Sequence, residues 1–202
     1  MPTVVIPFAG TRGKTRLEAP AGMRRELSLA MLEDVLAAAV AVGETRVVTS
    51  DAEGARRARM CGAGVVDDQG GGQGAAVAHA LGGVTSGPFL VVNADLPCVR
   101  PEELHALLAA AGADGFALAA AADGTTNALC LPVSSAFAPV YGPGSAARFL
   151  ARAAALGLAA VEVGAPNLVD DVDTLADLER LRPRLGPRSL AALDRASIGA
   201  PT

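Results

Sequence analysis

The sequence is poor in aromatic residues: it contains no Trp, one Tyr and five Phe, which together make up 3% of its 202 residues. Its core must therefore be built from the aliphatic residues that dominate its 51% hydrophobic content. Such a composition favours parallel strands covered by alanine-rich helices. A chain of this length is expected to form one domain of ordinary size, with enough residues to bury a core.

Long apolar runs and an excess of basic charge are also missing. No apolar run approaches the ~18 residues of a membrane-spanning helix, and the first residues lack the features of a signal peptide, so we expect a cytoplasmic protein. The net charge of −4 argues against a surface for nucleic acid or anionic membranes. No sequence feature decides the oligomeric state, and a homodimer stays open.

Two kinds of site are excluded by what the chain does not contain. The three cysteines are scattered without metal-ligand spacing, which is typical of reduced thiols in a cytosolic protein. No nucleophile elbow or Ser-His-Asp arrangement is present, and the two histidines fall on predicted helices without suitable neighbours.

Strand and helix signals alternate along the chain without an internal repeat. This alternation predicts one α/β domain over residues 1–183, with a mostly parallel central sheet and helices on both faces. The predicted strands lie near residues 3–8, 45–49, 64–67, 89–92, 116–120, 128–131 and 159–163. The apolar periodicity weakens after residue 183, so residues 184–202 are expected to form a loosely attached tail.

Three aspartates are candidate metal ligands. Asp95 ends the apolar run that begins at Phe89, and ligands of open α/β sheets bind beyond the carboxyl ends of the strands. Asp171 and Asp173 alternate, so both would face one side of an extended segment. Acids at the start of a helix are also common for the helix dipole alone, which is the simpler interpretation of that pair. Their pairing with Asp95 instead favours one Mg²⁺ site, because Mg²⁺ prefers carboxylate and phosphate oxygens.

The helix after these acids has a start signal of its own. Thr174 can cap it, and Asp177 stands three residues later in the capping-box position.

A basic loop follows the first strand and holds Lys14, the single lysine of the chain. The loop matches neither the Walker A pattern nor the dinucleotide fingerprint. Gly10 and Gly13 could still present backbone N–H groups to phosphates, and the alternating Arg12, Lys14 and Arg16 could neutralise a triphosphate. A plain basic surface loop is the alternative.

A glycine-rich run covers residues 69–74. Its close backbone approach to a purine base or ribose would make Asp67, just before the run, and Gly74, at its end, nucleotide-binding residues. A flexible surface turn is the alternative.

Five motifs together resemble the 2-phospho-L-lactate or phosphoenolpyruvate guanylyltransferases of coenzyme F-420 biosynthesis. The resemblance extends from the first strand to the helix after Thr174. The motifs are Lys14-Thr-Arg-Leu17, Asn93-Ala-Asp-Leu-Pro97, Gly124-Thr-Thr-Asn-Ala-Leu129, Tyr141-Gly-Pro-Gly-Ser145 and Asp171-Val-Asp-Thr174.

The resemblance implies a Rossmann-like nucleotidyltransferase fold of the GT-A type, GTP as the nucleotide donor and Mg²⁺ as the cofactor. It implies that Asp95, Asp171 and Asp173 hold the metal and, with Lys14, form the catalytic set. It further implies that a phosphorylated three-carbon acid contacts the residues that match the family's acceptor site, which are Thr126, Gly142 and Ser145.

The expected reaction is transfer of GMP from GTP to that acid with release of pyrophosphate. The alternatives are a molybdenum-cofactor or sugar-phosphate nucleotidyltransferase and a non-catalytic nucleotide-binding domain.

Overall fold

The computed structural model describes residues 1–10, 17–84 and 87–198, and within these ranges seven strands form one sheet. Across the sheet they lie in the order β3-β2-β1-β4-β6-β5-β7. Neighbouring strands are parallel except where β6 pairs with β4 and β5 in the antiparallel direction. The strands are β1 Thr3–Pro7, β2 Glu44–Val48, β3 Gly64–Val66, β4 Phe89–Val92, β5 Phe116–Ala120, β6 Thr126–Leu131 and β7 Ala160–Glu162. The predicted mostly parallel α/β sheet is confirmed.

Helices cover both faces of this sheet, as predicted. They are α1 Ala21–Val40, α2 Ala52–Met60, α3 Gln73–Leu81, α4 Pro101–Ala111, α5 Ser145–Ala155, α6 Pro166–Val169, α7 Leu175–Leu181 and α8 Pro187–Ile198. The central strand β1 shows the two layers, since successive side chains of a strand point to opposite faces. Its Val4 and Ile6 pack with α1 and α4, whereas Val5 packs with α3 and α5. None of the helices in the described part of the chain has the length and apolarity needed to cross a bilayer.

The C-terminal segment is not the loose tail that the sequence predicted. Residues 187–198 form α8, and Leu193 is buried in a third apolar cluster that α8 shares with α1 and α7. Asp34 of α1 accepts hydrogen bonds from the N–H groups of Arg188 (3.1 Å) and Ser189 (2.8 Å), which caps α8 from across the chain. Residues 199–202 lie outside the described part.

The weak periodicity of this segment has a physical reason. The buried positions of α8 include Ser189 and Ala192, so a hydroxyl and a methyl group occupy places where an amphipathic pattern would show large apolar side chains. Part of the surface on which α8 packs belongs to α1, where Asp34 lies 154 positions before Arg188, so this contact leaves no local signal.

One edge of the sheet gathers the ends of several strands. Strands β1 to β4 are parallel, so their carboxyl ends share this edge. Because β6 is antiparallel, it brings its first residues there: Val92 pairs with Ala128, and the N–H of Asn93 donates to the carbonyl of Asn127 at 2.9 Å. Thr126 therefore lies at the same edge as the loop that carries Asp95.

Candidate active site

Three aspartates from two segments converge at this edge of the sheet. One carboxylate oxygen from each of Asp95, Asp171 and Asp173 lies within 4.8 Å of the other two, and all three residues are half-buried. The segments are joined by a backbone hydrogen bond from Val172 to the carbonyl of Asp95 at 3.0 Å. Val172, which separates Asp171 from Asp173 in sequence, is fully buried in an apolar cluster with Leu27 and Leu178. The sequence therefore identified three carboxylates that the fold brings together.

The start of α7 fixes the backbone beside Asp173. As predicted, Thr174 and Asp177 form a capping box: the Thr174 hydroxyl accepts from the N–H of Asp177. One oxygen of Asp177 in turn accepts from the N–H groups of Thr174 (2.9 Å) and Asp173 (3.2 Å) and from the Thr174 hydroxyl (2.7 Å). Burial raises the pKa of Asp177, but the hydrogen bonds from Thr174 and Asp173 outweigh this effect, and the net pKa is below the ordinary value. Asp177 thus remains an ionised, structural carboxylate.

Asp170, which precedes the acids, is engaged by arginines. Its carboxylate is hydrogen-bonded by the guanidinium of Arg184 and, at 3.1 Å, by that of Arg180. The hydrogen bond from Arg184 is the main reason that the pKa of Asp170 is lowered, with Arg180 adding to it. Asp170 is therefore an anchor for its segment.

A cleft of about 260 Å³ extends from Asp95 across the carboxyl ends of the neighbouring strands. Gly10 after β1, Val48 at the end of β2 and Asp68 after β3 line it, and Gln73 from the first turn of α3 lies in its wall. Asp95 belongs both to the cleft lining and to the set of Asp95, Asp171 and Asp173, which we call the acid group. A ligand that reaches Asp95 in the cleft would therefore lie near the other two carboxylates.

Amide side chains connect the wall of the cleft to the rest of the site. Gln73 donates to the side-chain oxygen of Asn93 at 2.7 Å, and Asn93 donates to the carbonyl of Thr126 at 3.1 Å. Because a carbonyl can only accept, this second bond fixes the orientation of the Asn93 amide. Asn127, which is buried, donates to the carbonyl of Val169 at 3.0 Å and so ties β6 to the segment before the acids.

The sequence did not predict these amides as site residues. Asn93 directly follows β4 and Asn127 is the second residue of β6, and at both places a polar side chain next to apolar strand residues needs a partner. That position was the available signal.

The three residues expected to bind the acceptor lie together. The hydroxyls of Thr126 and Ser145 are 3.0 Å apart and buried, and the N–H of Ser145 donates to the carbonyl of Gly142 at 2.9 Å. Gly142 has a φ of +107°, a backbone conformation that favours glycine. In this structure the hydroxyl pair fixes the 142–145 turn against the start of β6.

Only some of the expected nucleotide-binding residues that the structure describes line the cleft. Gly10 lines the cleft. Asp67 is exposed and accepts a hydrogen bond from Gln69 at 2.8 Å, and Gly74 packs against Pro139, where an added Cβ would lie 2.9 Å from the Pro139 carbonyl oxygen. Neither lines the cleft.

Their neighbours in sequence, Asp68 and Gly72, line it instead. The remaining predicted residues, which are Arg12, Gly13, Lys14 and Arg16, lie outside the described residues.

Known proteins are similar to this chain in sequence. The sequence model of the family described as guanylyl transferase CofC like matches residues 2–182. A phosphoenolpyruvate guanylyltransferase of Streptomyces coelicolor is 41% identical over 97% of this chain and 97% of its own length. A protein of the same name from Geodermatophilus obscurus is 35% identical over 98% of this chain and 94% of its own length.

Solved structures share the fold. A candidate nucleotide-diphospho-sugar transferase from Desulfovibrio desulfuricans G20 superimposes with a TM-score of 0.76 at 17% identity, over 98% of this chain and 96% of the other. A nucleotidyl transferase from Methanothermobacter does so with a TM-score of 0.66 at 18% identity, over 91% and 96%. At such identities the likeness concerns the fold alone.

Proposed function

Since the chain belongs to the guanylyl transferase CofC-like family, we propose that it transfers GMP from GTP to phosphoenolpyruvate and releases pyrophosphate, in coenzyme F-420 biosynthesis. The observation that carries this proposal is the convergence of Asp95, Asp171 and Asp173, of which Asp95 lines the cleft. Phosphoenolpyruvate is preferred to 2-phospho-L-lactate as acceptor because the similar curated proteins carry that substrate in their names.

The carboxylate oxygens of the acid group are ligands of the kind that Mg²⁺ prefers. Three carboxylates with oxygens within 4.8 Å of one another offer the hard oxygen ligands that Mg²⁺ takes, with substrate phosphates completing the shell. When bound there, Mg²⁺ would neutralise charge on the α-phosphate of the nucleotide. Asp95, Asp171 and Asp173 are the residues that would hold it.

The cleft is the proposed site for GTP. Because Asp95 belongs to both the cleft and the acid group, a nucleotide that fills the cleft would place its α-phosphate at that end. The loop after Gly10 carries Arg12, Lys14 and Arg16, which are proposed to bind the β- and γ-phosphates and the leaving pyrophosphate. The Gln73–Asn93 pair would present amide groups to the nucleoside from the wall of the cleft.

Chemistry at this site needs little from the protein beyond position and charge. A phosphate oxygen of the acceptor attacks the α-phosphorus in line, and the bond to pyrophosphate breaks. The attacking phosphate is already ionised, so no general base is required. His79 and His105 are exposed on α3 and α4, and neither lines the cleft.

The acceptor is proposed to lie beside the turn 142–145. Thr126 connects this turn to the cleft, because its carbonyl accepts from Asn93, which lines the cleft, and its hydroxyl contacts Ser145. The acceptor phosphate would be oriented toward the acid group by Thr126, Gly142 and Ser145.

The experiment is a pyrophosphate-release assay with GTP, Mg²⁺ and each acceptor, with the product identified by mass spectrometry. Asp95→Asn should lower turnover by more than about 100-fold, because loss of a metal ligand should exceed the effect of losing an outer partner. Asp114→Asn is the matched control, since Asp114 is an exposed acid that follows α4. Near-normal turnover of Asp95→Asn would remove Asp95 from the site.

The nucleotide and the acceptor with which the protein reacts distinguish the proposed function from its alternatives. Pyrophosphate release from CTP or UTP with a sugar phosphate would replace the proposal by a sugar-phosphate nucleotidyltransferase. Release with GTP and molybdopterin would replace it by a molybdenum-cofactor enzyme. Binding of GTP without pyrophosphate release for any acceptor would leave a nucleotide-binding domain.

A further inference from the structure

Residues 184–186 precede α8 and contact both segments that carry the acids; we call them the clamp segment. The guanidinium of Arg184 donates one hydrogen bond to the side chain of Asn167, at 2.9 Å, and another to the carboxylate of Asp170. Two residues later, the N–H of Gly186 donates to the carbonyl of Pro97 at 2.8 Å. One short stretch of chain therefore holds two loops that are far apart in sequence.

Those contacts fall next to the candidate metal ligands. Pro97 is two residues after Asp95, and Asp170 immediately precedes Asp171. The clamp segment thus holds each acid-bearing segment within two residues of an acid, through the carbonyl of Pro97 in one segment and the carboxylate of Asp170 in the other. The contact at Pro97 follows Asp95 in sequence, and the contact at Asp170 precedes Asp171.

The clamp segment is itself immobilised on α1. A Cβ at Gly186 would lie 2.2 Å from the carboxylate carbon of Asp34, so the segment is in direct contact with this buried side chain. Asp34 also caps the first turn of α8. In addition, Arg100 donates to the carbonyl of Arg184 at 2.8 Å, which holds the segment from the side of the Asp95 loop.

We infer that Arg184 is a positioning residue for the metal-binding acids: its two-pronged contact with Asn167 and Asp170 sets the distance of the Asp171 segment from Asp95. The inference rests on the proposed function, in which these acids hold Mg²⁺. An arginine suits this task because its planar fork can bind two partners at fixed angles, whereas a lysine ammonium is a single point charge. Arg184 lies beyond residue 182, where the match to the family model ends.

Binding of Mn²⁺ to the full chain without nucleotide is the test, measured by the loss of the free Mn²⁺ signal in electron paramagnetic resonance. Mn²⁺ takes the same oxygen ligands as Mg²⁺ and gives a signal that needs no catalysis. Arg184→Ala should raise the Mn²⁺ dissociation constant by about 10-fold, the lower end of the effect of removing an outer partner of a metal ligand. Arg184→Lys should recover part of this loss, because it can still pair with Asp170.

Arg182→Ala is the matched control. Arg182 lies in the same helical turn, but its partners are Glu179 (2.9 Å) and Asp194 (2.5 Å). Its removal should leave Mn²⁺ affinity unchanged while it lowers the melting temperature by about as much as Arg184→Ala does. A purely structural role of Arg184 would move the melting temperature of both variants and the Mn²⁺ affinity of neither.

The outcomes separate this inference from the proposed function. Wild-type affinity in Arg184→Ala would overturn the inference alone, whereas a wild-type chain that binds no Mn²⁺ would overturn the metal assignment as well. If Arg184→Ala does not fold, Arg184→Gln decides, since it keeps a long stem without the charge. Equal Mn²⁺ binding by Arg184→Gln and the wild type would then reject the positioning role.

Discussion

Replacing Leu193 by Ala tests how firmly α8 is attached to the domain. Leu193 is 3% exposed and packs in the cluster that joins α8 to Leu27 and Met31 of α1 and to Leu181 of α7. A matched control is Leu156→Ala, which removes the same atoms from a side chain that is 40% exposed at the end of α5.

The size of the effect follows from burial. Truncation of a fully buried leucine to alanine costs about 2–5 kcal/mol, and the cost is smaller where neighbours can relax into the space. Because α8 is the last helix and can shift toward α1, we expect a loss of about 2–3 kcal/mol. For a domain of this size, this corresponds to a fall in melting temperature of about 4–12 °C. The control should lose less than about 1 kcal/mol, since much of its side chain is already in water.

Urea denaturation followed by far-UV circular dichroism measures the free energy of unfolding of both variants. If α8 unfolds together with the rest of the domain in one transition, Leu193→Ala should lower the midpoint without changing the slope. A change below about 0.5 kcal/mol, within the range of ordinary surface substitutions, would mean that α8 is not docked. The reasoning from the apolar cluster would then fail.

Three further substitutions test other parts of the structure. Asp34→Ala should lower the free energy of unfolding in urea by about 1 kcal/mol, because it removes the cap of α8. Gln73→Leu should raise the KM for GTP by about 2- to 10-fold in steady-state assays, with a smaller change in kcat, because it removes one neutral hydrogen bond to Asn93 in the wall of the cleft. Asp177→Asn should lower the melting temperature at pH 7, and the gap from the wild type should close below pH 3.8, the ordinary pKa of the carboxyl. The folded-state pKa of Asp177 is lowered, so the stability from its capping bonds with Thr174 is present above that value and is lost as the pH falls through the folded-state pKa.

The acid group could be predicted because each of its parts has a local signature. Asp95 follows an apolar strand, and Asp171 and Asp173 alternate before a capped helix. The rule that ligands bind at the carboxyl ends of parallel strands then placed one segment, and metal chemistry suggested the other. The capping box at Thr174 was predictable for the same reason, since four consecutive residues contain it.

The sequence did not allow us to predict which individual residues line the cleft. A glycine-rich run has no periodicity, so the sequence did not show that α3 begins at Gln73. Gly72, the N-cap of α3, lines the cleft, whereas Gly74 inside the helix packs against Pro139; before the run, Asp68 lines the cleft and Asp67 does not. The amide contacts of Asn93 with Thr126 and of Asn127 with Val169 join residues more than thirty positions apart, and no local pattern encodes such pairs.

The way the acid segments are held explains how three like charges can share one place. Carboxylates this close repel one another, so their approach has to be stabilised by other contacts. Three of the contacts that hold the acid segments use their main-chain atoms: the N–H of Val172 with the carbonyl of Asp95, the carbonyl of Val169 with Asn127, and the carbonyl of Pro97 with the clamp segment. Each bond joins parts of the chain that are distant in sequence, and each fixes the backbone from which a carboxylate projects. The arrangement of the acids is therefore a property of the folded scaffold, including its C-terminal helix, and a cation would meet a site that is already assembled.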